Sequence, residues 1–220
     1  MKSGSKKISL EGFLIDFDGV ISKNSVKNTL EFAFEYINSV TPINKEFIKD
    51  YFKKVLCFSP LPSVELLFTS LGIQDRMEDF FKKLKELDKD KTKIKIRPDF
   101  YSFMKFCDQH HIKYTILSLA SSDRLKLIKG FQEELVYSLS GRSKADPMTF
   151  DKVIDDMKIV PNKWGYIEDT PIALRTGKLA KFKTFMMKND IYDDREFNQF
   201  KSFIDYKVNS FLEIQKLFGK

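Results

Sequence analysis

Residues 12–21, GFLIDFDGVI, give the clearest indication of the fold of this chain. Residues 12–18 (GFLIDFD) predict a short buried strand, which ends in Asp16 and Asp18 and is followed by Gly19. The two aspartates are two positions apart on extended backbone, so their side chains point to the same side. Burying two carboxylates together is unfavourable unless a cation or a proton offsets their repulsion. The segment therefore predicts a cation site, with a solvated Asp-Gly turn as the alternative.

Four amphipathic helices are predicted after this strand, with no strand between them. Ser63 is a candidate N-cap of the third helix, and Gly72 lies just past its end. The apolar stripes that define the helices are Leu30, Ala33, Phe34 and Ile37; Phe47, Ile48, Tyr51, Phe52, Val55 and Leu56; Val64, Leu67, Phe68 and Leu71; and Met77, Phe80, Phe81, Leu84 and Leu87. Four such helices predict a small helical bundle. The charged residues 88–95 (DKDKTKIK) are interpreted as a linker that returns from it.

The second half of the chain alternates predicted helices and strands. Pro98 opens a helix, and further helices are predicted over residues 122–129, 149–157 and 171–179. Strands are predicted over residues 113–119, 135–139, 164–168 and 182–187. This alternation is typical of a parallel α/β sheet with right-handed crossovers. Such sheets bind ligands at the carboxyl ends of their strands.

A second acidic pair follows one of these strands. Glu168 and Asp169 come at the end of the strand 164–168, directly before a predicted helix. If the sheet brings this pair next to Asp16 and Asp18, the oxygen atoms form a cage that suits Mg²⁺. Capping of the helix that starts at Pro171 is an alternative role for Asp169, and the two roles are compatible.

Two further polar residues are candidates for binding an anion. Ser118 ends the apolar run of the strand 113–119, where a hydroxyl and free backbone N–H groups could hold a phosphate oxygen. An ordinary capping or loop serine gives the same pattern. Lys144 lies in the loop 141–147 (GRSKADP), and its charge alone predicts a solvated side chain.

Taken in order, four segments resemble the motifs of the haloacid dehalogenase superfamily. The family's apolar strand followed by DxDG[TV] is matched by residues 13–21, and its strand ending in Thr or Ser by residues 116–118. Its Lys followed by PxP and an aromatic residue is matched by residues 144–150 (KADPMTF). Its strand followed by EDS or GDS is matched by residues 166–170 (YIEDT). The chain is most similar to the helical-cap subfamily typified by β-phosphoglucomutase and phosphoglycolate phosphatase.

The resemblance implies a fold and a reaction. The expected fold class is α/β, with a Rossmann-like parallel-sheet core formed by residues 1–21 and 97–220. Residues 22–96 would form an inserted four-helix cap domain. The expected activity is that of a phosphatase that depends on Mg²⁺ and hydrolyses a small phosphate monoester through an aspartyl-phosphate intermediate. A phosphomutase that acts on a sugar phosphate is the alternative, and a non-catalytic binding protein with this fold is a further one.

The resemblance also assigns the catalytic and metal-binding residues. Asp16 would attack phosphorus, and Asp18 would protonate the leaving alcohol and then deprotonate the incoming nucleophile. Mg²⁺ would be held by the Asp16 carboxylate, the Asp18 backbone carbonyl and Asp169, with Glu168 nearby or bound through water. The family's dehalogenases need no acid at the position of Asp18, so a dehalogenase is disfavoured.

Phosphate binding is assigned to two residues in the same way. Ser118 and Lys144 would bind the remaining phosphoryl oxygens, which reverses the interpretation of Lys144 from its charge alone. The chain departs from the family pattern at Ala145, where Pro is usual, and at Met148, where Asp is common. Neither departure removes a catalytic group.

Substrate specificity is expected to lie in the helical segment. Lys53, Lys54 and Arg76 are candidate substrate contacts, although solvated helix faces are the favoured interpretation of these residues. The expected partner is a small phosphorylated metabolite, and the oligomeric state is left open.

Composition is consistent with a globular protein that binds anions. The chain has 220 residues, of which 42% are hydrophobic, and 38 Lys and Arg against 31 Asp and Glu give a net charge of +7. Basic residues are spread along the chain without the interleaved aromatics of a nucleic-acid surface, so no specific nucleic-acid partner is expected. Cys57 and Cys107 resemble small buried hydrophobic residues, and no stretch has the length of a membrane span. A cytoplasmic location is expected from these features.

Overall fold

The core of the protein is a six-stranded sheet in which every neighbouring pair of strands is parallel. The structure is a computed structural model that describes residues 8–90, 92–139, 141–189 and 191–219. The strands are β1 (Gly12–Ile15), β2 (Lys113–Ser118), β3 (Val136–Ser138), β4 (Trp164–Glu168), β5 (Lys183–Met187) and β6 (Tyr206–Val208), and their order across the sheet is β3-β2-β1-β4-β5-β6. The predicted parallel α/β sheet is therefore confirmed. Residues 1–7, 91, 140, 190 and 220, which the predicted core and cap include, lie outside the described residues.

The strand order places β1 at the point where the chain reverses its direction of travel across the sheet. From β1 the chain first builds β2 and β3 on one side, and it then returns to build β4, β5 and β6 on the other. Ligands of open parallel sheets bind at the carboxyl ends of the strands at such a switch point. Asp16, Ser118, Glu168 and Asp169 all follow or end the three central strands.

Both faces of the sheet are covered, which explains why its strands are almost continuously apolar. Successive residues of a strand point to opposite faces, so Phe13 and Ile15 pack under α5 (Pro98–Gln109) and α10 (Phe211–Leu217). Leu14 and Tyr166 pack on the other face, against α7 (Pro147–Met157). The helix α8 (Pro171–Leu179) follows β4, and α6 (Ser122–Leu125) and α9 (Asp194–Gln199) are short.

The segment between β1 and α5 is helical and has its own apolar core. It comprises α1 (Ser25–Val40), α2 (Lys45–Val55), α3 (Pro60–Ser70) and α4 (Met77–Lys89). Phe80 is 1% exposed at the centre of this core, and its ring lies about 5 Å from those of Tyr36 and Phe68. The predicted succession of four helices is thus observed, while the domain boundaries at residues 21/22 and 96/97 stay a prediction. No helix among the described residues is long and apolar enough to cross a membrane.

Several boundaries differ from the prediction for local reasons. The third helix begins at Pro60, so Ser63 lies inside it and donates its hydroxyl to the carbonyl of Ser59 instead of capping. Asp88 belongs to α4 and is buried, so the predicted linker is shorter. The predicted helix 122–129 ends at Leu125, because the chain continues in turns towards Gly130 at φ +74°. The elements α9, β6 and α10 carried no predicted assignment.

Candidate active site

Asp16 lies buried at the carboxyl end of β1. Its backbone N–H donates to the carbonyl of Ile167 at 2.9 Å, so the backbone of Asp16 still pairs with β4 although the strand ends at Ile15. The residue is 5% exposed. The register of the two strands pairs Ile15 with Ile167, which brings Asp16 beside the end of β4.

Three carboxylates converge at this edge of the sheet. Asp16, Glu168 and Asp169 each offer one oxygen atom, and these atoms lie within 4.8 Å of one another. Gly19 makes the arrangement possible, because its φ is +80° and a Cβ at its position would lie 1.7 Å from Oδ2 of Asp169. The fold thus brings together three of the four predicted acidic residues. Asp16 of the first pair lies beside both residues of the second pair, Glu168 and Asp169, although Asp16 and Glu168 are 152 residues apart in sequence.

Lys144 is buried among these carboxylates, although its charge alone predicts a solvated side chain. Its Nζ contacts Oδ1 of Asp16 and lies 3.0 Å from Oε2 of Glu168. The residue is 4% exposed. Burial lowers the pKa of the Lys144 ammonium, but the adjacent Asp16 and Glu168 outweigh burial and raise this pKa above its usual value. Lys144 is therefore a charged group at neutral pH.

Glu168 has every oxygen engaged by a neighbour. Oε2 accepts hydrogen bonds from the hydroxyl of Tyr166 at 2.5 Å and from Lys144 at 3.0 Å. Oε1 accepts from the backbone N–H groups of Asp169 at 3.0 Å and Thr170 at 3.1 Å. Burial raises the pKa of Glu168, but the Lys144 cation and these hydrogen bonds lower it to about 2. Glu168 is thus an ionised group that holds Lys144 and the start of α8.

Asp16 and Asp169 are in a different electrostatic situation. Burial, followed by the negative charge of Glu168, raises the pKa of both carboxyl groups well above the usual value. The amide of Asn189 donates to Oδ2 of Asp169, a contact for which the sequence carried no motif. Ionising all three carboxylates against one ammonium would leave an excess negative charge in a buried site, which is unfavourable without a cation.

The donor set fits a hard divalent cation. All three side chains offer oxygen atoms only, which are the ligands that Mg²⁺ prefers. Because the oxygens of Glu168 are already engaged, the carboxylates of Asp16 and Asp169 are better placed to act as ligands. The side chain of Asp18 is not part of the three-carboxylate cluster found among the described residues.

Asp18 instead forms an ion pair with Arg124, a residue that the sequence analysis missed. Nη1 of Arg124 donates to Oδ1 of Asp18 at 2.8 Å, and Nε donates to Oδ1 of Asp88 at 2.9 Å. The hydroxyl of Ser121 donates to Oδ2 of Asp88 at 2.7 Å. Burial lowers the pKa of Arg124, but Asp18 and Asp88 raise it above its usual value. The sequence does contain one indication of this network. Asp88 lies four residues after Leu84, so it falls on the apolar stripe of α4, where a charged residue is expected to have a buried partner.

Ser118 ends β2, the neighbour of β1 in the sheet, and is 5% exposed. Its Oγ accepts a hydrogen bond from the backbone N–H of Ala120 at 2.9 Å, which leaves the hydroxyl proton available to an acceptor. Leu119, the next residue, lines the cavity at the carboxylates, which we call the carboxylate chamber.

The carboxylate chamber has a volume of about 80 Å³ and lies between the sheet edge and the helical segment. Its described lining residues are Asp16, Asp18, Val26, Thr29, Leu56, Cys57, Leu119, Arg124, Lys144, Asp169 and Thr170. The helical segment reaches the Lys144 loop directly, because the carbonyl of Cys57 accepts from the N–H of Lys144 at 2.8 Å. Residues from the α2–α3 connection therefore help to hold Lys144 in place.

The candidate substrate contacts of the helical segment lie elsewhere. Lys53 donates to Glu196 at 2.9 Å, and with Lys54 it lines a separate cavity beside α9. Arg76 pairs with the neighbouring Asp75 at 3.3 Å. None of the three is among the described residues that line the carboxylate chamber. The expectation that they contact a ligand bound there is therefore not supported by their position.

Comparison with known proteins identifies the fold. No protein-family profile matches the chain, and no curated protein is similar to it in sequence. Among solved structures, a haloacid dehalogenase-like hydrolase from Bacteroides fragilis is 19% identical, with a TM-score of 0.71 over 93% of this chain and 99% of that one. A haloacid dehalogenase family IA hydrolase from Entamoeba histolytica is 16% identical, with a TM-score of 0.69 over 96% and 98%.

A third similar structure is CbbY from Rhodobacter sphaeroides in complex with phosphate. It is 15% identical, with a TM-score of 0.70 over 93% of this chain and 96% of that one. The chain therefore has the fold of the haloacid dehalogenase-like hydrolases along nearly its whole length. The resemblance that the four motifs predict is confirmed at the level of the fold.

Proposed function

We propose that this chain, which has the haloacid dehalogenase-like fold, is a phosphatase that depends on Mg²⁺ and hydrolyses a small phosphate monoester. The observation that carries the proposal is the position of Asp16. A buried carboxylate at the switch point of a parallel sheet, in contact with a lysine and next to two further carboxylates, has the surroundings of a nucleophile for an anionic substrate.

The reaction proceeds in two displacements. In the first, a carboxylate oxygen of Asp16 attacks phosphorus, the bond from phosphorus to the alcohol oxygen breaks, and Asp18 gives its proton to that oxygen. In the second, Asp18 takes a proton from water, whose oxygen attacks the aspartyl-phosphate and releases inorganic phosphate. Asp16 is then restored as a carboxylate, and Asp18 carries a proton again.

Phosphoryl oxygens are bound by Lys144 and Ser118. Lys144 lies against Asp16, so its ammonium can neutralise charge on the phosphoryl group that Asp16 attacks. The hydroxyl of Ser118 accepts from Ala120 and keeps its proton for an anionic oxygen. Arg124 acts through Asp18 as a positioning residue, because its contact with Oδ1 restricts where the second oxygen of Asp18 points.

A bound Mg²⁺ would be held by the carboxylates of Asp16 and Asp169 and by the backbone carbonyl of Asp18. It would supply the positive charge that allows the anionic Asp16 to approach an anionic ester.

The test is release of phosphate from p-nitrophenyl phosphate with and without Mg²⁺. Wild type is expected to turn over the ester only with the metal, and Asp16→Asn is expected to lose at least about 1,000-fold in kcat/KM. Asp50→Asn, on the exposed face of α2, is the matched control and should retain wild-type turnover. Turnover by the Asp16 variant, or no release from a broad panel of phosphate esters by wild type, would contradict the proposal.

The same assay separates hydrolysis from phosphoryl return. Release of free phosphate from the ester supports a phosphatase. Interconversion of sugar-phosphate isomers without net release would instead support the phosphomutase alternative.

A further inference from the structure

A second cavity adjoins the carboxylate chamber on the side of the helical segment. It has a volume of about 310 Å³, and we call it the apolar chamber. The two cavities share the lining residues Asp18, Thr29, Leu56, Leu119 and Arg124. Asp18, the proposed proton donor to the leaving alcohol, thus lies on the boundary between them. The part of a substrate that leaves with that proton would occupy the apolar chamber.

The wall that the helical segment contributes is apolar. It includes the lining residues Phe52, Val55, Leu56, Phe58, Phe81 and Leu84. Binding an apolar ligand against this wall is favourable by about 25 cal/mol for each Å² of apolar surface that is removed from water. A ligand rich in hydroxyl groups would bury them there without partners, which is unfavourable.

The polar side chains among the described lining residues are already engaged. Arg124 donates to Asp18, to Asp88 and, at 3.4 Å, to Thr29. Ser121 donates to Asp88. The remaining lining serine, Ser63, donates to the backbone carbonyl of Ser59, the N-cap residue of α3. Few hydrogen-bonding groups are therefore free to recognise sugar hydroxyls.

Charge in the apolar chamber also restricts the ligand. Arg124 is the one cation among the described residues that line it, and Asp18 and Asp88 already share its charge. A second phosphoryl group at the far end of a substrate would face two carboxylates and no uncompensated cation. The chamber is therefore poorly suited to a bisphosphate.

We infer that the substrate is the phosphate monoester of a bulky apolar alcohol, whose aliphatic or aromatic part occupies the apolar chamber. This inference rests on the proposed phosphatase function. It assigns phosphoryl chemistry to the carboxylate chamber and selection of the leaving alcohol to the helical segment, mainly α2 and α4.

The first test compares kcat/KM for ethyl, butyl and hexyl phosphate with kcat/KM for glycerol phosphate and glucose 6-phosphate. Each added methylene is expected to raise kcat/KM about fourfold, so that hexyl phosphate, with four more methylenes, exceeds ethyl phosphate by about 250-fold. The glycerol and sugar esters are expected to fall below butyl phosphate. A flat alkyl series, or a preference for the sugar ester, would overturn the inference.

A matched pair of variants tests the location of the apolar contact. Phe58 lines the apolar chamber and is 41% exposed, whereas Phe47 is 51% exposed on α2 and is not among the described lining residues. Phe58→Ala is expected to lower kcat/KM for hexyl phosphate about tenfold and to affect ethyl phosphate much less. Phe47→Ala should change neither. An equal loss for both esters in Phe58→Ala would contradict the proposed binding site.

Binding to the Asp16→Asn variant separates this inference from the proposed reaction. Calorimetry with the same alkyl phosphates is expected to show affinity that rises with chain length. If affinity rises but wild type releases no phosphate, the phosphatase proposal fails and the apolar ligand class stands. If wild type hydrolyses esters but affinity is independent of length, the inference alone fails. Absence of both binding and turnover overturns both.

Discussion

Gly19 is the residue on which the approach of the two acidic segments depends most directly. Its φ of +80° is readily adopted by glycine, and the side chain of Asp169 occupies the space where a Cβ would lie. Asp169 belongs to the loop after β4, whereas Gly19 belongs to the loop after β1, so the contact joins the two central strand ends.

We predict that Gly19→Ala is destabilising by more than its backbone strain. A positive φ costs a non-glycine residue about 1–2 kcal/mol, and the clash with Asp169 must add to this value. The free energy of unfolding from urea titrations is the measurement.

Gly72 provides the control for Gly19→Ala. It has a φ of +69°, and nothing lies within 4 Å of a Cβ at its position. Gly72→Ala should therefore lower the free energy of unfolding only by the cost of backbone strain. Equal losses of stability in the two variants would mean that the contact between Gly19 and Asp169 has no energetic consequence.

Lys144 and Glu168 illustrate how a residue's neighbours override its type. A loop lysine is ordinarily solvated, and the sequence pointed to a functional Lys144 only through the order of four motifs. In the folded chain one oxygen of Glu168 accepts a hydrogen bond from the ammonium, and the other accepts from the backbone N–H groups of Asp169 and Thr170, just before α8. No local pattern encodes this pairing, because the partners are 24 residues apart in sequence.

At the scale of elements, α4 and α6 are joined by a buried ion pair. Asp88 ends the apolar face of α4, and Arg124 lies in α6, next to the sheet edge. Arg124 is 8% exposed and Asp88 7% exposed, so removing either partner leaves a charge with little access to water.

A double-mutant cycle with Arg124→Met and Asp88→Asn measures this link. We expect each single variant to lose several kcal/mol of stability, and we expect the coupling energy to exceed about 1.5 kcal/mol. The exposed pair Lys27 and Glu31 on α1, 3.9 Å apart, serves as the comparison and should couple by less than about 0.5 kcal/mol. Similar coupling in both cycles would argue against a buried link between α4 and α6.

Asp205 joins the edge of the sheet to α8. Both of its oxygens accept from Lys178, at 2.6 and 2.7 Å, and the N–H of Thr184 in β5 donates to Oδ2 at 2.9 Å. Burial raises the pKa of Asp205, but Lys178 and the Thr184 N–H outweigh it and lower this pKa below the usual 3.8. Because this pKa is lower in the folded state than in the unfolded state, ionised Asp205 stabilises the fold at pH values above its unfolded-state pKa. The stabilisation is lost as the pH falls through the folded-state pKa.

Asp205→Asn is therefore expected to lower Tm at pH 7 by about 2–4 °C, which corresponds to about 1 kcal/mol in a chain of this size. The difference in Tm between wild type and the variant should narrow as the pH is lowered from 5 to 3. Thermal unfolding at several pH values checks this prediction, with Asp50→Asn as an exposed control. A difference that stays constant over this range would exclude the Lys178 pair as its cause.

At the scale of the whole molecule, one buried cluster of negative charge lies where the sheet meets the helical segment. A cation that binds there stabilises the folded state over the unfolded chain. At a Mg²⁺ concentration of 100 times Kd the gain is about 2.7 kcal/mol, which raises Tm by about 5–10 °C.

We predict that Asp169→Asn abolishes most of this increase in Tm, because the variant removes a proposed ligand and part of the negative charge. Thermal unfolding measured at equal ionic strength, with KCl in place of MgCl₂, controls for the screening of charge by salt. An equal Mg²⁺-dependent shift in wild type and Asp169→Asn would place the ion somewhere other than the three-carboxylate cluster. This measurement does not depend on turnover.

Much of the fold was predictable because its signals are local. The apolar stripes of α1 to α4 recur at helical spacing, and β1 and β4 are short apolar runs with acidic ends. The strand β6 has three residues, and α9 and α10 have six and seven, so each is too short for periodicity to be informative.

Three features can be predicted from the sequence alone: the order of most of the elements, the acidic strand ends and the four motifs that resemble one superfamily. These features depend on residues that are neighbours in the chain. Three other features are visible only in the folded chain. Glu168 binds Lys144, Arg124 pairs with Asp18 and Asp88, and an apolar chamber borders the proposed acid. Each of these depends on contacts between distant segments, and the burial that sets their charge and polarity exists only once the sheet and the helical segment have packed together.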